Sequence, residues 1–297
     1  MTILVSILAQ ALHVAAVLIA APLLTGLIDR FSLGRAAPDV LLPWHRALRL
    51  LRKQPIRAIG TSVVSRLAPL LAMVLAVLTV FLAPSFCLGM VSAPLADLLT
   101  IAGLFVLGRV VLVLAAMDAG TGRGAVVAAE SARLGPAGEP AMLLAVLAIG
   151  LASGAGNLDT ILTMRAEGLV AGTPTVMLAV AALGLLGWSD GQTPGIEAFY
   201  SGPDLALLRV AAQFRLLGWC DLVGALALPF GMATVSGGFA AWGIGLAAWI
   251  GRTLLAAVLL AMVRKIGATS RVPSVLALAI ALCGIAAVLA FVGVDPS

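Results

Sequence analysis

The segment Asp29-Arg30-Phe-Ser-Leu-Gly-Arg35-Ala-Ala-Pro38-Asp39-Val-Leu-Leu42-Pro43-Trp44-His45-Arg46-Ala-Leu48-Arg49-Leu50-Leu51-Arg52-Lys53-Gln54-Pro55-Ile-Arg57 carries seven basic residues between two long apolar runs. The 297-residue chain has only 18 Lys and Arg and 13 Asp and Glu in all, so this clustering leaves the flanks almost free of charge. The whole chain is 62% hydrophobic and 10% charged, with mean hydropathy +1.16. A soluble domain carries about 25% charged residues. Runs of roughly 20 apolar residues separated by charged loops are what a bilayer demands. The sequence predicts an all-α integral membrane protein.

Working outward from the basic segment, hydropathy places about eight transmembrane helices near 2–27, 62–83, 97–117, 139–157, 169–188, 206–230, 239–262 and 273–293. Positively charged loops stay in the cytoplasm, so the segment 29–57 is expected inside and the N-terminus outside. The alternation continues along the chain. The loop Pro84–Pro94 lacks Lys and Arg, the next has Arg123 and Arg133, the fourth has only Arg165, Gly231–Phe239 is uncharged, and the last has Arg264, Lys265 and Arg271. Both termini are therefore expected outside. The first basic residue, Arg30, follows the first apolar run instead of preceding it, so that run reads as a retained helix and not a secretory signal.

The expected organisation is a single transmembrane domain, 1–297, with a basic cytoplasmic loop at 29–57 containing an interfacial helix. No polar stretch exceeds about 20–30 residues, too short for a soluble domain. The pI of 9.9 arises from the cytoplasmic loops and requires no nucleic-acid partner. Cys87, Cys220 and Cys283 are isolated, and His13 and His45 are the only histidines, a pattern that offers no metal or cluster spacing.

Three stretches carry a family resemblance. Pro38, Pro43, Trp44, Leu48, Arg49, Leu50 and Lys53 fit an Arg-rich stretch with Gly-Pro leading into a Gln-Pro-Tyr-x-Asp-Leu-x-Lys-Leu-x-x-Lys helix. Glu130-Ser131-Ala132-Arg133 with Glu139-Pro140 resembles a Ser-Arg-Glu…Glu-Pro loop, and Tyr200-Ser201-Gly202 with Gln213 and Arg215 resembles a Glu-Tyr-Ser-Gly motif and the helix after it. In this order they resemble subunit 1, or H, of respiratory NADH dehydrogenase, and most closely the hydrogenase-4 and formate hydrogenlyase branch of that family. The resemblance implies a membrane core subunit of a group 4 hydrogenase-like or NADH dehydrogenase-like energy-converting complex. It implies hydrogenase-like and iron–sulfur subunits docked on the cytoplasmic face and antiporter-like subunits alongside in the lipid bilayer. Iron–sulfur or NiFe centres would sit in those partners, with no cofactor bound by this chain. It further implies a non-catalytic subunit of an oxidoreductase complex in a prokaryotic cytoplasmic (inner) membrane, engaged in proton translocation. The chain departs from the pattern at Ala37, Leu42, Arg46 and Phe199, and its loop from Ser189 to Phe199 holds only Asp190 and Glu197. It therefore reads as a divergent member.

Ionisable side chains at bilayer depth are costly and mark function unless they merely pair. Proton or ion pathway candidates are Glu139, Arg133, Arg215, Asp204, Asp221 and Glu197. Arg215 and Asp221 are six apart on one helix, too far for direct pairing, so each is expected to meet another helix. Glu139 is expected to open the fourth span beside Pro140, at a helix N-terminus that favours a carboxylate. Each of these also has a static reading, as a cap or a packing pair. Arg35, Arg46, Arg49, Arg52 and Lys53 are candidates for partner docking, with lipid contact or simple orientation as the other readings. Gly120-Thr-Gly122-Arg123-Gly124 follows no strand and reads as a connection, and Gly150-x-x-x-Gly154 as a helix contact. Two further readings compete with the energy-converting subunit: a stand-alone secondary transporter, for which no repeated halves are visible, and a membrane anchor that has lost its coupling acids.

Overall fold

The computed structural model describes residues 2–33, 39–56, 62–170, 173–190, 195–266 and 272–293. Every expected span is a helix: α1 (Thr2–Leu33), α3 (Val63–Leu82), α4 (Leu98–Asp118), α5 (Gly122–Ser153), α7 (Thr173–Asp190), α8 (Gly202–Ala227), α9 (Gly238–Ile266) and α10 (Val272–Gly293). The basic loop contributes α2 (Leu42–Leu51), and α6 (Leu158–Ala166) is a short helix between α5 and α7. By length and composition 6 of the helices can cross a membrane, and Gly138–Ser153 and Thr173–Gly187 are shorter apolar helices. The chain is a multi-pass membrane protein.

The packing is that of a protein solvated by lipid. On α3, Ala68, Ala72 and Ala76 face inward while Leu70, Leu71, Val74 and Leu78 face outward. Small residues let helices approach closely where hydrocarbon outside offers no hydrophobic penalty. Two large cores result, one among α4, α5, α6, α7 and α10, the other among α1, α3 and α9, beside a small cluster of Ala116, Val127, Ala128 and Ile196. Helix α8 sends Trp219 and Leu222 into the first and Phe214 and Leu217 into the second, which makes it the central post.

The connections segregate to two ends. At one end, here the outer end, the loop 83–97 meets α6 through Leu158 N–H to the Ala96 carbonyl (2.7 Å) and Asn157 Nδ2 to the Ala93 carbonyl (2.8 Å). There β1 (Cys87–Leu88) pairs in parallel with β2 (Ala233–Thr234), register Cys87↔Ala233. The inner end carries α2, the α4–α5 turn and the start of α8. Helices α5 and α10 run the same way, with Leu276 against Gly138 and Cys283 bonded to the Ala145 backbone. Loops with many basic residues and loops with few thus lie at opposite ends, as the charge alternation requires.

Three local features differ from the sequence reading. Residues 118–138 are not an extended loop: α5 starts at Gly122 and continues unbroken through Glu139 and Pro140 to Ser153. At 1.5 Å per residue this 32-residue helix is about 48 Å long, more than a bilayer core of about 30 Å. Glu139 therefore sits inside a helix, away from any N-terminus. Second, Gly154 does not pack against another helix. It is the left-handed C-cap of α5 (φ 67°), a conformation that suits glycine. Third, the β1–β2 ladder has no counterpart in the sequence reading, because two-residue strands leave no periodic signal. The Gly120–Gly124 stretch is a connection, as expected: Thr121 Oγ1 accepts from Gly124 N–H (3.0 Å) and caps α5.

Candidate functional site

The inner end is organised by Tyr200-Ser201-Gly202. Ser201 Oγ accepts from Ile56 N–H (2.8 Å) and donates to the Ile56 carbonyl (3.0 Å), which ties the segment after α2 to the start of α8. Gly202 has φ 56°, and a Cβ there would lie 2.7 Å from the Gln54 carbonyl oxygen. Only glycine tolerates both. The motif is thus a clasp that seats α2 against α8.

Beneath the clasp lies a cavity of about 510 Å³ between α1, α2, α4 and α8 and the 3-10 turn Ile196–Phe199. Its charged lining includes Asp29, Arg46, Arg109, Glu197, Arg209 and Arg215. Glu197 Oε2 accepts from Arg209 Nε at 2.8 Å with both side chains well exposed, 48% and 36%, so water screens the pair and it contributes under about 1 kcal/mol. Arg215 lies deeper. Its Nη2 donates to the Phe105 carbonyl on α4 (2.7 Å), and its guanidinium carbon lies 5.3 Å from the Phe105 ring centroid. Phe105 stacks on Trp219 with centroids 4.3 Å apart, which fixes the wall against which the cation rests.

A small recess on the far side of Arg215 is bordered by Glu139, Arg109, Arg215 and Trp219. The structure thus brings Glu139 and Arg215, two of the expected pathway residues, to one place and adds Arg109. Arg109 Nη1 is 3.6 Å from where a Gly138 Cβ would stand. Asp204 is half-buried in the first turn of α8, beneath the clasp, and Tyr200 beside it has its phenol pushed up chiefly by burial, with the charges of Asp118 and Asp204 adding. Arg133 lies on α5, its side chain outside the described residues, as is all of Arg35. On α2, Arg46 borders the cavity, Arg49 donates to the His45 carbonyl (3.2 Å), and Arg52 and Lys53 are exposed.

Asp221 stands apart, towards the outer end. It is 1% exposed and accepts from Trp249 Nε1 on α9 (2.8 Å). Arg215 and Asp221 therefore do meet different helices, α4 and α9. Sequence reasoning passed over His13, a lone histidine that proves fully buried and bonded to Ser85. Arg109 and Arg252 are also mid-span charges, weighed from the sequence as functional candidates beside Arg215 and Asp221 but not placed among the pathway residues.

No family model matches the chain. The formate hydrogenlyase subunit 4 of Escherichia coli (strain K12) is 32% identical over 145 residues, 48% of this chain and 47% of that protein. The chain thus spans about half the length of the curated relative it matches. Among solved structures, a chain of the membrane-bound sulfane sulfur reductase, an archaeal respiratory membrane complex, superposes with TM-score 0.74 at 14% identity, over 96% of this chain and 99% of that one. At that identity the likeness speaks for the fold. The chain thus shares the fold of that chain and, over 145 residues, is similar in sequence to formate hydrogenlyase subunit 4.

Proposed function

We propose that the chain is the core membrane subunit of a group 4 hydrogenase-like energy-converting complex. It holds hydrogenase-like and iron–sulfur subunits against the α2 face, adjoins antiporter-like subunits in the membrane, and couples redox events outside the bilayer to proton movement within it. Redox centres belong to the partners; this chain supplies position and charge. The observation that carries the reading is the cavity at the α2 end, whose charged lining continues through Arg215 and Arg109 to Glu139 at membrane depth. A carboxyl group's hold on its proton depends on where neighbouring cations lie. A partner pressing on α2 acts on the wall that contains Arg46 and, across the cavity, Arg215. Small movements of the guanidinium groups then alter the electric field at Glu139.

Glu139→Gln preserves shape and removes the charge. The variant complex is expected to assemble at normal abundance and to lose most of its proton translocation, read as dye quenching in inverted vesicles. Full translocation by a normally assembled variant sinks the coupling role and leaves the anchor reading ahead. Falling assembly with coupling intact assigns Glu139 to structure.

A further inference from the structure

A second polar cluster lies towards the outer end, separate from the cavity. Asp221 on α8 accepts from Trp249 Nε1, while its Oδ2 is buried and has no hydrogen-bond partner among the described residues. Arg252, one turn along α9 from Trp249, is 4% exposed. Its Nη2 donates to the Ser85 carbonyl, and its Nε and Nη1 are buried without partners among the described residues. Ser85 Oγ lies 2.6 Å from His13 Nδ1 on α1, and His13 Nε2 lies 3.0 Å from the Val80 carbonyl. A carbonyl only accepts, so Nε2 carries the hydrogen and Ser85 donates to Nδ1. Four chain segments converge here, and His13 and Ser85 are both 0% exposed.

Residue Phe86, next to Ser85, is also fully buried and meets Trp242 edge-on, centroids 6.4 Å apart. Trp242 in turn lines an outer vestibule of about 800 Å³ together with Ser6, Gly89, Asp159 and Phe239. A line of contacts thus runs from Ser85 through Phe86 and Trp242 to a cleft open at the outer end.

We propose that Asp221, Arg252, Ser85 and His13 form a proton-binding station in the outer half of the protein, closed towards the outer vestibule by Phe86 and Trp242. This rests on the coupling reading only for its physiological use. Buried polar atoms without partners call for an explanation, and an acid and a guanidinium both left short of partners in one cluster fit a site whose protonation changes. A proton arriving from the vestibule forms an O–H bond at Asp221 Oδ2, or an N–H bond at His13 Nδ1 as the Ser85 hydroxyl turns from donor to acceptor. Release breaks that same bond. Arg252, held on the Ser85 carbonyl, keeps the unprotonated carboxylate compatible with burial. On α8 itself the neighbouring titratable groups are the Cys220 thiol, next in sequence to Asp221, and Arg215 six residues away, while α1 offers Asp29 and Arg30 near its inner end. Of the helices packed on α8, α3 offers only Arg66 and α7 only Asp190, both near the inner end.

The test is infrared difference spectroscopy of the intact complex between acidic and alkaline media. A carboxylic C=O band that grows on acidification is expected in the wild type, absent in Asp221→Asn and kept in Glu139→Gln and Asp159→Asn. Trp249→Phe removes one donor from the carboxyl and should shift the band, which covers the case where Asp221→Asn fails to assemble. Phe86→Ala should speed hydrogen–deuterium exchange of the band several-fold. An unaltered spectrum in assembled Asp221→Asn, or in Trp249→Phe, overturns the station, and an unaltered exchange rate overturns the lid. These spectra require no turnover. A wild type with the band but no proton translocation therefore sinks the coupling reading alone, and a translocating complex without the band sinks the station alone.

Discussion

Glu139 was singled out from the sequence on a local reading that the structure replaces. Glu-Pro is a helix-start signal, because proline in the first turn loses no hydrogen bond. Here the helix simply continues through Pro140, and Glu139 instead borders a recess it shares with Arg109 and Arg215. Such convergence of α4, α5 and α8 is tertiary and leaves no trace in one-dimensional spacing. The Tyr200-Ser201-Gly202 motif was legible as a pattern, while its work as a clasp was not. Gly202→Ala should cost about 1–2 kcal/mol for the left-handed backbone alone, with the crowded Gln54 carbonyl adding to it. The expected result is a lower thermal midpoint for the purified complex with α2 loosened, and an unchanged midpoint counts against the clasp. Asp159, on α6 outside the spans, has its carboxyl pushed up by burial, with the Gly89 N–H opposing. A carboxyl raised in the fold favours the protonated native state. The stability it contributes is thus full below the unfolded carboxylate range and is lost as pH rises through the raised folded value. Asp159→Asn should flatten that acid-side dependence in pH-resolved unfolding, and a wild type whose stability rises over that window contradicts the argument.

At the level of elements, all the apolar spans were legible because hydropathy reports on solvent, and lipid is a uniform solvent. Boundaries failed where a helix outgrows the bilayer: the polar half of α5, Gly122 to about residue 138, has no apolar periodicity and looks like a loop. The short α6 and the β1–β2 ladder were invisible because their stability comes from the loops they pin together. Helix α2 was legible on both counts, as a basic segment with leucines among its charges. It buries only Ala47, and Leu48 and Leu51 are about half exposed beside Arg49, Arg52 and Lys53. An exposed apolar strip framed by cations suits an acidic partner surface. Replacing Arg35, Arg49 and Lys53 with Gln should release the cytoplasmic partner while insertion stays normal. Undiminished co-purification would remove the docking role.

Across the whole molecule the charge alternation predicts that the end bearing α2 faces the cytoplasm and that both chain termini face outward. A cysteine placed at position 297 (Ser297→Cys) should react with an impermeant maleimide from outside, and reaction from the cytoplasm alone would invert the topology. The native thiols add little background, since all three are buried and burial pushes the Cys87 thiol up to about 12, Asp159 adding to it. The β1–β2 ladder also has a consequence for how the chain is made. Cys87 cannot find Ala233 until β2 has been synthesised, nor the Ser85 carbonyl find Arg252 until α9 has. Until then Asp221 lacks Trp249, and the loop 83–97 has its bonds to α1 and α6 but none to β2 or α9. A nascent chain halted after α8 therefore carries a bare carboxylate in hydrocarbon beneath an unsealed cap. Insertion of α9 is the step that turns a set of threaded helices into a closed protein.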